Sequence, residues 1–274
     1  MPELPEVETV VRDLRPLLVG RRIGGVFAGR RALRRPFQSR WRSLLLGRTV
    51  RAVDRRGKWI RIDLEGRFLL VHLGMTGQFT VVSSGEKRQD HTHVVFGLDD
   101  GGRELRFRDV RRFGSVTFFP DAAAVESFFS VCGLGPEPWD VDAAYWRERL
   151  ARARRCLKAV LLDQTVVAGV GNIYADESLF EAKLDPRLRA CDLKTRPAER
   201  LRQAIVRVLE RAIGLRGSSI RDYVGGSGLQ GGFQREFRVY GRDGEPCLRC
   251  RTPIAGIRLA GRSTHFCPKC QKTR

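Results

Sequence analysis

Four cysteines near the end of the chain set the tightest constraint on its fold. Cys247-x2-Cys250 is followed sixteen residues later by Cys267-x2-Cys270. Two CxxC pairs at this separation can place four thiolates around one ion and fill a tetrahedral shell. The spacing therefore points to one structural zinc ion with no open position for catalysis. Disulfides and chance are the alternatives. His265 lies beside the second pair, but four cysteines already suffice and a packed or surface imidazole explains it. The module starts at about residue 236 and is too short to fold well without such a staple. Its surface carries Arg249, Arg251, Arg258, Arg262, Lys269, Lys272 and Arg274, charge that suits a groove or a phosphate backbone.

The whole chain shares that charge. Lys plus Arg total 51 against 31 Asp plus Glu in 274 residues, a net charge of +20. An enzyme of small neutral substrates has no need of such a field, whereas a polyanion-binding protein does. A solvated basic surface or an arginine-biased genome is the plainer explanation. No stretch reaches the length of a membrane span. The start, MPELPEVETV, bears carboxylates and lacks an apolar h-region, so a signal peptide is not expected and the cytoplasm is.

Local patterns divide the chain further. Pro5 suits a first helical turn, Glu6 and Glu8 suit its dipole, and Val7, Val10, Val11, Leu14, Leu17 and Leu18 recur at helical spacing up to Gly20. From about 22 to 119 short runs rich in Val, Ile, Phe and Leu are punctuated by Gly and Asp-Gly, as strands of a sandwich or barrel would be. Gly133-Leu-Gly-Pro-Glu-Pro138 breaks the pattern. Beyond it helices are expected near 142–152, 156–166, 172–183 and 197–215. Residues 224–232 have the composition of a mobile loop. The expected fold class is thus α+β and multidomain: a β-sandwich with a leading helix over 1–132, a helical domain over 133–235, and a zinc hairpin over 236–274. Between two of the helices, Gly169 and Gly171 allow close backbone approach and Asn172 opens a helix with free amides. An ordinary α-hairpin and a phosphate-binding turn both fit this segment.

PELPEVETV at the start, HLGMTG at 72–77, DVRRFG at 109–114, GLGPEP at 133–138, QTVVAGVGNIYADESL at 164–179 and VYGRDGEPC…GRSTHFCPKCQ at the end occur in order. Together they resemble bacterial formamidopyrimidine-DNA glycosylases, of the helix–two-turn–helix superfamily, over essentially the whole chain. The resemblance implies a bifunctional glycosylase and lyase acting on duplex DNA with oxidised purines or abasic sites, as a monomer. After loss of Met1, Pro2 would attack C1′ as a secondary amine, since α-amino groups titrate near ~8. Glu3 would shuttle protons and Glu6 would orient the amine. Lys58 would work near the lesion in β-elimination, and Arg262 on its phosphates in δ-elimination. Met75, Phe113 and Arg111 would fill the gap left by an extruded base, with Arg111 facing the orphaned partner. His91, Arg154, Lys158 and Asn172 would grip the backbone.

Taken singly, Pro2 is a common second residue, Glu3 and Glu6 serve a helix dipole, Lys58 is a surface charge and Phe113 a core residue. Two rival functions remain. An endonuclease VIII-like enzyme would prefer thymine glycol to 8-oxoguanine opposite cytosine. A non-catalytic zinc protein would bind DNA without cutting it.

Overall fold

The computed structural model describes residues 1–29, 31–99, 101–218 and 231–272. They form two compact units: Met1–Val131 with Arg216–Gly232, and Cys132–Leu215 with Phe233–Arg274.

The first unit opens with helix α1, Leu4–Leu18. Pro5 sits in its first turn, and the Glu6 carboxylate reaches back 2.8 Å to accept the amide of Glu3. That contact satisfies one of the orphan donors of a helix start. The remaining elements are β1 (Ile23–Ala28), α2 (Trp41–Leu45), β2 (Ala52–Arg56), β3 (Trp59–Leu64), β4 (Arg67–His72), β5 (Gly77–Ser83), β6 (Thr92–Leu98), β7 (Arg103–Asp109), β8 (Ser115–Phe119) and α3 (Ala122–Val131). The strands make two antiparallel sheets, ordered β1-β6-β7-β5 and β2-β3-β4-β8. Alternation along β3 turns Ile60, Ile62 and Leu64 inward, as a strand with one buried face requires. They share one core with Phe79, Phe96 and Phe107 of the other sheet and with Val7, Val11 and Leu14 of α1. The expected sandwich with a leading helix is what forms.

In the second unit α4 (Ala143–Ala151), α5 (Leu157–Leu162), α6 (Asn172–Glu181) and α7 (Thr195–Gly214) pack around Trp146, Tyr174 and Leu209. The turn between α5 and α6 is stitched by one side chain. Gln164 donates to Leu162 O and Val170 O and accepts from Gly169 N. The Gly/Pro break is not a slack linker: Gly135 N donates to Gln164 O, and Ala168 N to Pro136 O. The chain ends in a hairpin of β9 (Ala255–Leu259) and β10 (Arg262–Phe266). Its two-residue turn, Ala260-Gly261, has φ of +51° and +72°, as tight hairpins need. The expected loop at 224–232 lies outside the described residues except for its last two positions.

Candidate active site and nucleic-acid interface

Around α1 the sequence packs its carboxylates inward. Pro2 is buried beside exposed Met1, and Glu3 and Glu6 are 3% and 2% exposed. Glu6 Oε2 holds the Glu3 amide, while Oε1 accepts Ser218 N at 2.8 Å and Ser218 Oγ at 3.1 Å. A carboxylate with donors on both oxygens has a fixed orientation.

Lys58 follows Gly57, at φ +56°, in the turn between β2 and β3. It is a largely buried lysine rather than a surface charge. The next residue, Trp59, pairs in register with His72, and the two rings meet tilted at 54° with centroids 4.8 Å apart. His72 Nδ1 accepts Gly74 N. Burial, then the charges of Lys58, Arg34 and Arg35, push the His72 pKa down to about 4. A neutral imidazole thus sits next to the lysine at neutral pH. His72 was not singled out from the sequence, although it begins HLGMTG.

Two neighbouring turns carry the expected insertion residues. Met75 lies between β4 and β5; Arg111 and Phe113 lie between β7 and β8. Met75 and Phe113 are 41% and 45% exposed, too open for core residues. The Arg111 guanidinium lies 4.8 Å over the Phe113 ring. Asp109, fully buried, ties the turns together. It accepts Thr76 Oγ1 at 2.6 Å, Arg111 N at 3.2 Å and Gly114 N at 2.7 Å. Gly74, at φ +63°, lets the backbones touch: a Cβ there would lie 2.5 Å from Gly114 N. A hollow of about 440 Å³ beside Phe113 is lined by Leu33, Arg34, Arg111 and Arg112. His91, at φ +65°, accepts the Asp109 amide through its carbonyl.

In the second unit Arg154 is exposed and shares a surface hollow of about 370 Å³ with Arg149, Arg152 and Arg155. Lys158 differs from its expected role. It is fully buried, with Nζ on Asp176 Oδ1 at 2.5 Å and on Asn172 O at 3.0 Å. An enclosed, paired ammonium cannot touch a phosphate. Asn172 Nδ2 in turn donates to Ser263 O at 3.0 Å, the residue after Arg262.

Asp176 and Glu177, adjacent on α6, hold both ends of the cysteine module. Asp176 Oδ2 accepts His265 N. Glu177 accepts the amides of Arg238, Val239 and Tyr240, and burial raises its pKa against those donors. Arg249 is exposed, as expected of the basic surface, but its guanidinium is engaged by the protein itself. It stacks 4.3 Å over Phe180 and pairs with Glu181, because α6 offers it a ring and a carboxylate together. Arg262 is exposed at the hairpin tip.

The sulfurs of Cys247, Cys250, Cys267 and Cys270 lie within 4.8 Å of one another. Cys250–Cys267 and Cys247–Cys270 are 3.5 and 4.0 Å apart. Tetrahedral zinc with ~2.3 Å bonds spaces its sulfurs about 3.8 Å apart, so the set fits one structural zinc ion. Arg249 N and Cys270 N point at Cys247 and Cys267 sulfur, as outer donors to thiolates do.

A sandwich whose chain start sets Pro2 beside buried carboxylates, joined in sequence to a helix–two-turn–helix and a zinc hairpin, defines a class of DNA repair glycosylase. Family models agree segment by segment. Residues 1–116 match the formamidopyrimidine-DNA glycosylase N-terminal domain, 134–224 its H2TH domain, and 244–273 the zinc finger found in FPG and IleRS. The chain is 45% identical over 276 residues to formamidopyrimidine-DNA glycosylase of Geobacillus kaustophilus, covering 99% of this chain and 100% of that protein. It is 49% identical over 268 residues to that of Moorella thermoacetica, covering 94% and 95%. A Lactococcus lactis FPG mutant complexed with Fapy-dG-containing DNA superposes with a TM-score of 0.92 at 38% identity, covering 99% and 100%. MutM in complex with DNA containing carbocyclic 8-oxo-G gives 0.91 at 37%, covering 99% and 100%. The chain belongs to the formamidopyrimidine-DNA glycosylase family.

Proposed function

We propose that the protein excises oxidised purines, 8-oxoguanine and formamidopyrimidines, from duplex DNA and then cuts the strand at the abasic site. The observation that carries this reading is the buried Pro2-Glu3 start, locked by Glu6. With Met1 removed, the Pro2 nitrogen attacks C1′. The C1′–base bond breaks, and the base leaves after gaining a proton. Glu3 transfers a proton to the ring oxygen, the ring opens, and a Pro2 iminium remains. Loss of a C2′ proton expels the 3′ phosphate, and a second elimination expels the 5′ phosphate. Lys58 donates protons in the first elimination, with neutral His72 beside it, and Arg262 holds the lesion phosphates for the second. Met75 and Phe113 fill the vacated stack while Arg111 meets the orphaned cytosine.

His91, Arg154 and Asn172 contact phosphates. Lys158 acts through Asn172 rather than on DNA. The modules over 1–132, 133–235 and 236–274 carry the chemistry, the helix–two-turn–helix grip and the zinc-stapled contact. The protein acts as a monomer in the bacterial cytoplasm, on the nucleoid, in base excision repair.

The test is borohydride trapping on a duplex with one 8-oxoguanine opposite cytosine, read by gel and peptide mass. An adduct on Pro2 is expected. Trapping on a thymine glycol duplex alone would move the chain to the oxidised-pyrimidine enzymes. DNA binding with no adduct on either duplex would leave a zinc-stapled binding protein.

A further inference from the structure

Residues 216–218 carry two consecutive left-handed residues, Arg216 at φ +62° and Gly217 at φ +71°. Gly217 has no alternative, since a Cβ there would lie 2.7 Å from Glu6 Oε1 and 3.1 Å from Glu6 Cγ. Arg216 does have a Cβ, and that backbone is disfavoured for it. Its own side chain compensates. Arg216 Nη2 sits across both oxygens of Asp13, at 2.7 and 2.8 Å, and the Asp13 side chain is 7% exposed. Gly231 closes on the same bend, where a Cβ would meet Gly217 O at 2.4 Å.

Asp13 and Glu6 stand seven residues apart on α1, on one face and about 10 Å apart along the axis. Three residues of chain can cover that distance. The bend is tied to the helix at both places, by Arg216 at Asp13 and by Ser218 at Glu6. We propose that Arg216 and Asp13 are positioning residues for the N-terminal nucleophile, acting through Ser218 and Glu6. This rests on the reading of Pro2 as that nucleophile. Glu6 divides its carboxylate, Oε1 to Ser218 and Oε2 to the Glu3 amide. Losing the Arg216 side chain unties the bend from Asp13 on α1, so that Ser218 can withdraw and the Glu6 carboxylate is free to turn away from Glu3. The amine next to Glu3 then loses its fixed approach to C1′.

The experiment compares wild type with Arg216→Gly, Arg216→Lys and Asp13→Asn. Glycine removes the side chain yet accepts the left-handed backbone. Three quantities are read: single-turnover borohydride trapping on an abasic duplex, affinity for a duplex with a non-reactive abasic analogue, and amide hydrogen exchange at Glu3. In Arg216→Gly and Asp13→Asn trapping should slow about tenfold with affinity held within about twofold, because a small misplacement is costly only to the reacting step. Glu3 protection should fall with it, and Arg216→Lys should recover part of both. Wild-type trapping rates well below the melting temperature in both variants would overturn the proposal, even with a lowered Tm. If wild type itself forms no adduct, the Pro2 reading fails separately. Glu3 exchange then decides whether the bend positions the N-terminus, and unchanged exchange in both variants overturns it.

Discussion

Replacing Asp109 with alanine should loosen both insertion turns at once. The carboxylate is fully buried and accepts three donors: the Thr76 hydroxyl and the amides of Arg111 and Gly114. Arg111 is exposed, so its amide can find water after the substitution. The Gly114 amide is packed against Gly74 and cannot. One buried amide without an acceptor and one half-buried hydroxyl, each losing a charged partner, cost about 3–5 kcal/mol together. At roughly 2–4 °C per kcal/mol for a unit of this size, Tm should fall by about 6–20 °C. Asp109→Asn keeps one acceptor oxygen and should fall by less than half of that. Thr76→Val isolates the hydroxyl and should cost about 1–2 kcal/mol. Calorimetry reads the stability, and 2-aminopurine placed beside the lesion reads base extrusion. Because Met75 and Phe113 ride on the turns that Asp109 joins, extrusion should slow in Asp109→Asn well below its melting temperature. A Tm within about 2 °C of wild type for Asp109→Ala would refute this account of the turns, since no buried network of this kind is that cheap to break. Normal extrusion by Asp109→Asn would separate the tie from the function of the tips.

Four further outcomes are expected. Chelating the zinc should abolish DNA binding while near-ultraviolet signals of the first unit persist, because β10 holds both Arg262 and the partner of Asn172; binding that survives complete removal counts against the zinc hairpin as a contact. Lys158→Met should destabilise the second unit by about 3–5 kcal/mol, leaving Asp176 buried without its cation. If about six phosphates are gripped, the log–log salt slope of binding should be near −5, and Lys158→Met should leave that slope unchanged; a loss of about one unit would restore Lys158 as a phosphate contact. His72 has a folded pKa of about 4, below its ordinary 6.5. The unfolded chain therefore binds the extra proton first, so the stability tied to neutral His72 is full above about pH 6.5 and is lost as pH falls toward 4. The loss is on the order of 3 kcal/mol. His72→Phe should flatten the stability profile over that window, and an unchanged slope in urea melts would contradict it.

The parts of the fold that repeat were readable in the sequence. Alternating strands, the apolar stripe of α1 and the paired cysteines each carry a period or a spacing. β1 was not read because Gly24 and Gly25 interrupt its alternation, and α2 is a single turn of five residues. α3 lacks a cap signal. In the site, the exposure of Met75, Arg111, Phe113 and Arg262 agrees with their motif positions, but partners distant in sequence were not legible. Lys158 meets Asp176 18 residues away, and Arg216 meets Asp13 203 residues away. No local pattern tells a lysine that meets phosphate from one that meets a buried carboxylate.

That distinction orders the charges of this molecule. In a chain of net charge +20, carboxylates are the scarce sign. Glu6, Asp109, Asp176 and Glu177 are all nearly or fully enclosed. Each accepts main-chain amides: Glu3 and Ser218, Arg111 and Gly114, His265, and Arg238 to Tyr240. An ionised carboxylate is an acceptor only, so a turn that points its amides at one is held in a single orientation. Arginine and lysine cannot do this for an amide, because they only donate. Arg111, Arg154 and Arg262 are exposed, among the many positive side chains that face outward. Where a basic residue does meet a buried acid, as Lys158 and Arg216 do, it serves the scaffold. The sign of a side chain alone therefore does not tell a cation that serves the scaffold from one left at the surface.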